Sequence, residues 1–522
     1  MSWRRACLPL AMIMAAITAG IGSGDARAFE LPFGAKKVGQ RISDAITELD
    51  VVGARRLFAE NPGVAQRMPF QRARLAIYVG DCDSAEAILS TLDASRDVNR
   101  MSRLATQCAG AVAGSHIVED KKNGIWIRFQ DARDEVLMPY LVPVIAATRI
   151  SLERDLGVVL PRPLRIDLVR DLFSLAAVSG LPVEAAETTG TVAVARWGRV
   201  TMITPRATPN GYPWEDTLAH EMTHLALSRG TRDHAPLWLQ EGIAKRQEQR
   251  WREARPFDGG DAADRVAWNA LQSGTSVGVD SLGPSIAMLD SADAAGIAFA
   301  EVKSFIAYWI ERNGPAALQL FFADLRGLGR DEVNRALRST SGYGLSQWIL
   351  RWQLWLEKKY DTQPSADPEL LVAAVTRPPG LIGRTPRQRY RLGELMYREG
   401  HFLSAVDEYA LTAEDPTGLR YRAAQAQAAT GIRGDELLAT LGPQDALSGL
   451  HGGWFGLYGR GLFERGEPSQ GARAWDLARS THPYGDDVAC LGYDRQAPAP
   501  SHWGPSLNDW RPLCAAARQI PR

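Results

Sequence analysis

Asp216-Thr217-Leu218-Ala219-His220-Glu221-Met222-Thr223-His224-Leu225-Ala226-Leu227 decides how this chain reads. Leu218, Met222 and Leu225 are apolar at helical spacing and Gly230 offers a stop, so a helix is expected. On it His220 and His224 stand one turn apart and project from one face. Two neutral imidazoles so placed can ligate one Zn²⁺ at about 2.0–2.1 Å each. Glu221 lies about 100° further round the helix, where its carboxylate reaches a metal-bound water without ligating the metal. Chance produces H-E-x-x-H in only ~1% of chains with so few histidines. That makes the bland alternative, two incidental histidines on a surface helix, the weaker one.

A catalytic zinc site takes three protein ligands and keeps one position open. Pro236-Leu237-Trp238-Leu239-Gln240-Glu241-Gly242-Ile243-Ala244 follows, with sixteen residues between His224 and Glu241. A helix end, a short loop and a second helix can return Glu241 to the histidines. H-E-x-x-H followed by W-L-x-E-G-x-A resembles the gluzincin metallopeptidases of the peptidase MA-like superfamily. The resemblance implies a zincin-like fold with one Zn²⁺ per chain. It makes His220, His224 and Glu241 the metal ligands and Glu221 the catalytic base. It extends over roughly residues 120–360: strand, helix and strand before the motif, Phe299-Ala300-Glu301-x-x-Ser304-Phe305-x-x-Tyr308 as a helix usual in such domains, and Gly342 to Trp352 as the closing segment.

Two positions depart from that pattern. Thermolysin-like relatives carry an Asp four residues after the third ligand, and here that position is Lys245, so a different group must orient a histidine. Asp216 and Glu248 are the candidates, each equally readable as a solvated charge. Phe299 stands near the place where the family often has a tyrosine, and it cannot donate a hydrogen bond. Tyr308 and His234 are the alternatives for stabilising an oxyanion; the bland readings are a core aromatic and a loop residue.

Outward from the centre, Ile125 to Phe129, Leu164 to Val169, Thr191 to Ala195 and Arg199 to Thr204 alternate as strands. A long helix is expected from Asp134 to Leu156, bent near Pro143. Beyond Pro213 the pattern is helical to Tyr360, giving an α+β, mostly helical class. Residues 29–118 read as an N-terminal helical domain with a turn at Gly80-Asp81, and 119–360 as the peptidase-like domain. Five prolines between 361 and 386 mark a linker. Leu392, Gly393, Met396, Ala405, Tyr409 and Pro416 fall at the positions of a 34-residue helix–turn–helix repeat. A second set is Phe455, Gly459, Leu462, Gly471, Trp475, Ala478 and Pro483. Residues 387–485 therefore resemble tetratricopeptide repeats, which implies a groove for a protein partner or a helical extension that only packs. Residues 486–522 form a tail.

The 522 residues hold 60 Lys+Arg against 60 Asp+Glu. That balance excludes a dedicated nucleic-acid binder, and 45% hydrophobic residues exclude a disordered chain. Arg4-Arg5, the apolar run from Ala6 to Gly22 and Ala26-Arg27-Ala28 read as a signal peptide over 1–28, so export to the periplasm or outside the cell is expected, with no stable membrane span after cleavage. The mature chain would carry 57 basic and 59 acidic residues. It would keep Cys82, Cys108, Cys490 and Cys514, for which three pairings exist; Cys82–Cys108 and Cys490–Cys514 are the local choice. The expected function is an exported zinc-dependent peptidase acting on peptides or proteins through a Glu-activated, metal-bound water. The alternative is a non-catalytic repeat scaffold carrying a degenerate peptidase domain.

Overall fold

The computed structural model describes residues 33–208, 211–252, 262–360, 401–410, 416–442, 452–484 and 511–518, with parts of 389–397. The expected signal peptide, the linker, Cys490 and most of the tail lie outside the described residues. The first layer is helical: α1 (Phe33–Thr47), α2 (Val51–Glu60), α3 (Pro62–Gln66), α4 (Pro69–Val79), α5 (Cys82–Leu89) and α6 (Arg96–Val112). Asp50, Asp81 and Ser95 start α2, α5 and α6 by accepting the backbone N–H of Gly53, Ser84 and Val98, the role short polar side chains play at orphaned helix starts. The Gly80-Asp81 turn joins α4 to α5 as expected. Cys82 and Cys108 are bridged, with Cα atoms 5.8 Å apart, tying α5 to α6. Cys514 is disulfide-bonded as well.

Next comes the sheet: β1 (His116–Asp120), β2 (Ile125–Phe129), α7 (Met138–Leu156), β3 (Leu164–Val169), α8 (Leu172–Ser179), α9 (Val183–Thr189), β4 (Ala193–Arg196) and β5 (Arg199–Ile203). The order is β1-β2-β3-β5-β4. Strands β2, β3 and β5 run parallel, and β1 and β4 are antiparallel edges. A two-residue turn, Trp197 (φ 57) and Gly198 (φ 71), closes the β4–β5 hairpin, the positive-φ pair that matches strand twist. Strand β1 is an addition to the sequence reading, and the domain boundary expected at 118 falls inside it. Its side chains are mostly exposed, Ile117 at 47%, so no buried face writes an alternation.

The two faces of the sheet differ. Ile127, Ile166, Leu168, Val200 and Met202 are buried on one. The other holds Asp167 between Arg128 (2.7 Å) and Arg199 (2.9 Å), all buried. Arg128 donates to the Gly80 carbonyl at 2.8 Å and Arg199 to that of Ile77 at 2.6 Å. The N-terminal helices thus dock on the sheet through buried charge pairs whose hydrogen bonds are supplied by backbone.

After the sheet the chain is helical, as expected: α10 (Trp214–Thr231), α11 (Leu237–Gln247), α12 (Ala262–Ser273), α13 (Ala292–Asn313), α14 (Pro315–Leu328), α15 (Val333–Ser341) and α16 (Leu345–Tyr360). Helix α10 does not stop at Gly230. It runs one residue past it and ends at Arg232 in the left-handed region (φ 55), where Arg232 pairs with Glu48 at 2.6 Å. Gly230 instead keeps the helix close to Val158, 3.0 Å from where a Cβ would sit. The long helix expected over 134–156 begins with a 3₁₀ segment, Ala132–Leu137, before α7, and Pro143 lies inside α7. By length and composition Ala132–Leu156 could cross a membrane, a second apolar stretch beside the N-terminal one; in the fold Tyr140, Leu141, Val144, Ile145 and Leu152 of α7 are buried in the core.

The C-terminal arm has α17 (Phe402–Ala410), α18 (Pro416–Thr430), α19 (Gly434–Leu441), α20 (Gly452–Arg465) and α21 (Pro468–Thr481), each packed on the next, and α22 (Arg511–Arg518) follows. Both repeat-like residue sets form close contacts. A Cβ on Gly393 would lie 2.6 Å from the Tyr409 ring, and one on Gly459 2.7 Å from Trp475. A residue without a side chain is what lets each aromatic seat against the partner segment.

Candidate metal centre

Helix α10 carries the centre because it is a core helix. Leu218, Ala219, Met222, Leu225, Ala226 and Leu227 are all buried, so the histidines between them are carried inward too. His220 is 9% exposed and Glu221 7%. The two imidazoles meet edge to face, with Nε2 atoms 3.2 Å apart. His220, Glu221 and His224 offer ligand atoms within 4.8 Å of one another and could hold a metal ion.

Glu241 arrives from α11. Trp238 packs between Phe305 and Phe321 and sets the helix rotation. Gly242 sets its depth: a Cβ there would lie 2.4 Å from Ile306 and 2.7 Å from the Val302 carbonyl, so only glycine lets α11 approach α13 this closely. Gln247 at the end of α11 donates to Asp155 on α7 at 3.0 Å. The result places Glu241 Oε2 3.5 Å from His220 Nε2 and 3.6 Å from His224 Nε2. Three donor atoms therefore form a triangle with sides of 3.2, 3.5 and 3.6 Å. Tetrahedral zinc with ligands at about 2.0–2.1 Å spaces its donors about 3.3–3.4 Å apart. The residues fit such an ion.

Electrostatics agree. Burial opposes protonation of His220, yet hydrogen bonds to Glu241 and Glu248 and the nearby Glu221 outweigh it and push its pKa up to about 9. Burial alone would raise the pKa of Glu241, but the charge of His224 and the hydrogen bonds from both histidines hold its carboxyl far below the usual range. The pocket concentrates carboxylates around two imidazoles and calls for positive charge, which a divalent cation supplies without protons. Glu221 is pushed the other way: burial raises it above the ordinary carboxyl range, against the pull of the two histidines. Its carboxylate also accepts the backbone N–H of Ala195 on the outer strand β4.

The residues behind His220 show what Lys245 and Phe299 do. Glu248 Oε2 lies 3.3 Å from His220 Nδ1, and Lys245 Nζ lies 2.8 Å from the same oxygen. Lys245 also sits 5.2 Å from the centre of the Phe299 ring, which stands nearly perpendicular to the His220 ring with centroids 6.2 Å apart. The carboxylate that meets the histidine comes one turn after Lys245, at the residue that caps α11, and is shared with that lysine. Burial works against the Glu248 carboxylate, but the Lys245 charge and the His220 hydrogen bond lower its pKa to about 2. Glu248→Gln is expected to weaken metal affinity about 10- to 100-fold, as loss of such support does; competition with a chromogenic chelator measures it.

The other sequence candidates go elsewhere. Asp216 accepts Trp251 Nε1 at 3.0 Å and two bonds from Arg252, at 3.0 and 2.8 Å, anchoring the chain after α11 to the start of α10. Tyr308 is nine residues, about 13 Å of helix, beyond Phe299. It packs against Trp348 and Trp355 beneath Arg312. His234 follows the far end of α10, and its Nδ1 lies 2.9 Å from the Leu325 carbonyl. Neither is at the donor triangle, so the oxyanion role expected of them has no geometric support. The sequence reading missed Ala195 as a partner of Glu221. No side-chain signal marks a backbone N–H, and only the edge position of β4 creates it. Compared with known proteins, this chain matches no family model, no curated protein and no solved structure.

Proposed function

We propose that this chain is an exported zinc-dependent peptidase of gluzincin type. The observation that carries the reading is the donor triangle of His220, His224 and Glu241 with the buried Glu221 beside it. The chemistry zinc supplies when bound is Lewis acidity, a lowered pKa for water and a polarised carbonyl. Glu221, its pKa raised by burial, is suited to take a proton from water and return it to the leaving amine. The Ala195 backbone N–H on β4 favours the charged form of this base. Strand β4 is an outer strand of the sheet, so an extended peptide can add alongside it through backbone bonds. Glu248 and Lys245 fix the tautomer and tilt of His220. The Cys82–Cys108 bridge supports an oxidising compartment.

Digestion of a peptide library by the mature chain tests the reading. Cleavage is expected with one zinc per chain, lost on chelation and restored by added zinc. Purified chain free of metal, with no cleavage after zinc is supplied, would favour the non-catalytic scaffold.

A further inference from the structure

The C-terminal arm meets the start of the metal-bearing helix through buried polar groups. Arg479, near the end of α21, donates to Glu215 in the first turn of α10 at 2.5 Å and to Asp476 at 2.8 Å. Its guanidinium lies over Tyr140 at 4.6 Å. Glu215 is 0% exposed, Arg479 3% and Asp476 4%. Around them the Trp214 indole N–H donates to the Arg479 carbonyl (3.3 Å), the Tyr212 backbone N–H to the Thr481 carbonyl (2.8 Å), and the Tyr484 hydroxyl to Asp134 (2.8 Å). A Cβ on Gly211 (φ 68) would lie 2.1 Å from the Thr481 carbonyl, so backbone of the arm touches backbone of the body.

We propose that Arg479 is a positioning residue for the metal centre: it holds the first turn of α10 through Glu215 and makes the repeat-like arm a fixed part of the catalytic unit rather than a detachable recruiting module. Glu215 precedes His220 by five residues, about 7.5 Å along a rigid helix. A shift of that first turn therefore moves both histidines relative to Glu241, which stands on another helix. Removing Arg479 takes from the buried Glu215 and Asp476 the cation they share, a costly change that a shift of the helix start would relieve. The proposal deepens the peptidase reading and rests on it for its catalytic consequence.

The test uses the full mature chain with Arg479→Met, Glu215→Gln, the double variant and Arg479→Lys. Three quantities are read: zinc affinity by chelator competition, amide hydrogen exchange over Leu218–Met222, and kcat against KM. Arg479→Met is expected to speed exchange there, weaken zinc about tenfold, and lower kcat with KM nearly unchanged. Glu215→Gln should add little to it in the double variant, since the two act as one unit. Arg479→Lys, which keeps the charge and loses the fork, should fall between. Wild-type exchange and zinc affinity in folded Arg479→Met would overturn the proposal. If that variant does not fold, Arg479→Lys decides by the same readouts, and failure of both to fold assigns the pair to stability alone and overturns it too. A wild-type chain that binds no zinc sinks the peptidase reading by itself, while the exchange data still decide whether the arm holds α10.

Discussion

Glu221→Gln is expected to cut peptide hydrolysis about 10²- to 10⁴-fold, the range that one well-placed general base contributes, while zinc content stays at wild type. The amide is isosteric, and its carbonyl oxygen can still accept the Ala195 N–H that the carboxylate accepts. The donor triangle does not include Glu221, so metal binding should survive. What is lost is a group able to take a proton. Replacing a ligand gives the opposite pattern: Glu241→Gln should release zinc and activity together. Comparing kcat/KM with metal content in the two variants separates base from ligand. Full activity in Glu221→Gln in a matched assay would refute the mechanism.

The second large effect concerns stability. Asp167→Asn should destabilise the fold by about 3–5 kcal/mol, the usual cost of removing one partner from a buried charge cluster. Arg128 and Arg199 would remain buried on the same sheet face, bonded to the Gly80 and Ile77 carbonyls but without their anion. Water does not reach Arg199, which is 0% exposed. By contrast, removing the exposed Arg56–Glu60 pair, 3.9 Å apart, should cost less than about 1 kcal/mol. Urea unfolding of the two variants, with the Cys82–Cys108 bridge intact, checks the difference. A cost near that of the surface pair would mean the N-terminal helices dock without needing the Asp167 charge, through apolar contact, the carbonyl bonds of Arg128 and Arg199 and the Arg232–Glu48 pair. If instead the expected loss appears as early opening of α4–α6, the charge cluster is what joins that layer to the sheet.

How much was legible beforehand varies with the kind of signal. A helix that buries one apolar stripe was readable, as α5 shows with Cys82, Ala85 and Leu89, because burial at period 3.6 writes itself into residue order. Helix α10, buried on nearly every side, was readable from its histidine spacing instead. Strands β2, β3 and β5 were readable because apolar and polar residues alternate at period 2, although both faces are buried: one face is apolar and the other holds the Arg128–Asp167–Arg199 cluster. Strand β1 was not, since an exposed edge needs no apolar alternation. Gly230 misled because its value lies in contact with Val158, not in a turn, and the stop came from Arg232 in a conformation that sequence marks weakly for arginine.

The sequence by itself determined the local chemistry: two imidazoles on one helical face, a carboxylate beside them, and a second carboxylate after sixteen intervening residues, because helical geometry depends only on spacing. Tertiary structure alone decided which groups complete that chemistry. Gly242 against α13 fixed the depth of Glu241, and the turn after α11 brought Glu248, paired with Lys245, directly onto His220 in place of an aspartate. Asp216, which sits nearer in sequence, was drawn to Arg252 instead. The same holds for Arg479, separated by 264 residues from the glutamate it holds. Contacts between distant segments depend on the packing of whole elements, and side-chain partners follow only once that packing has excluded water from their surroundings.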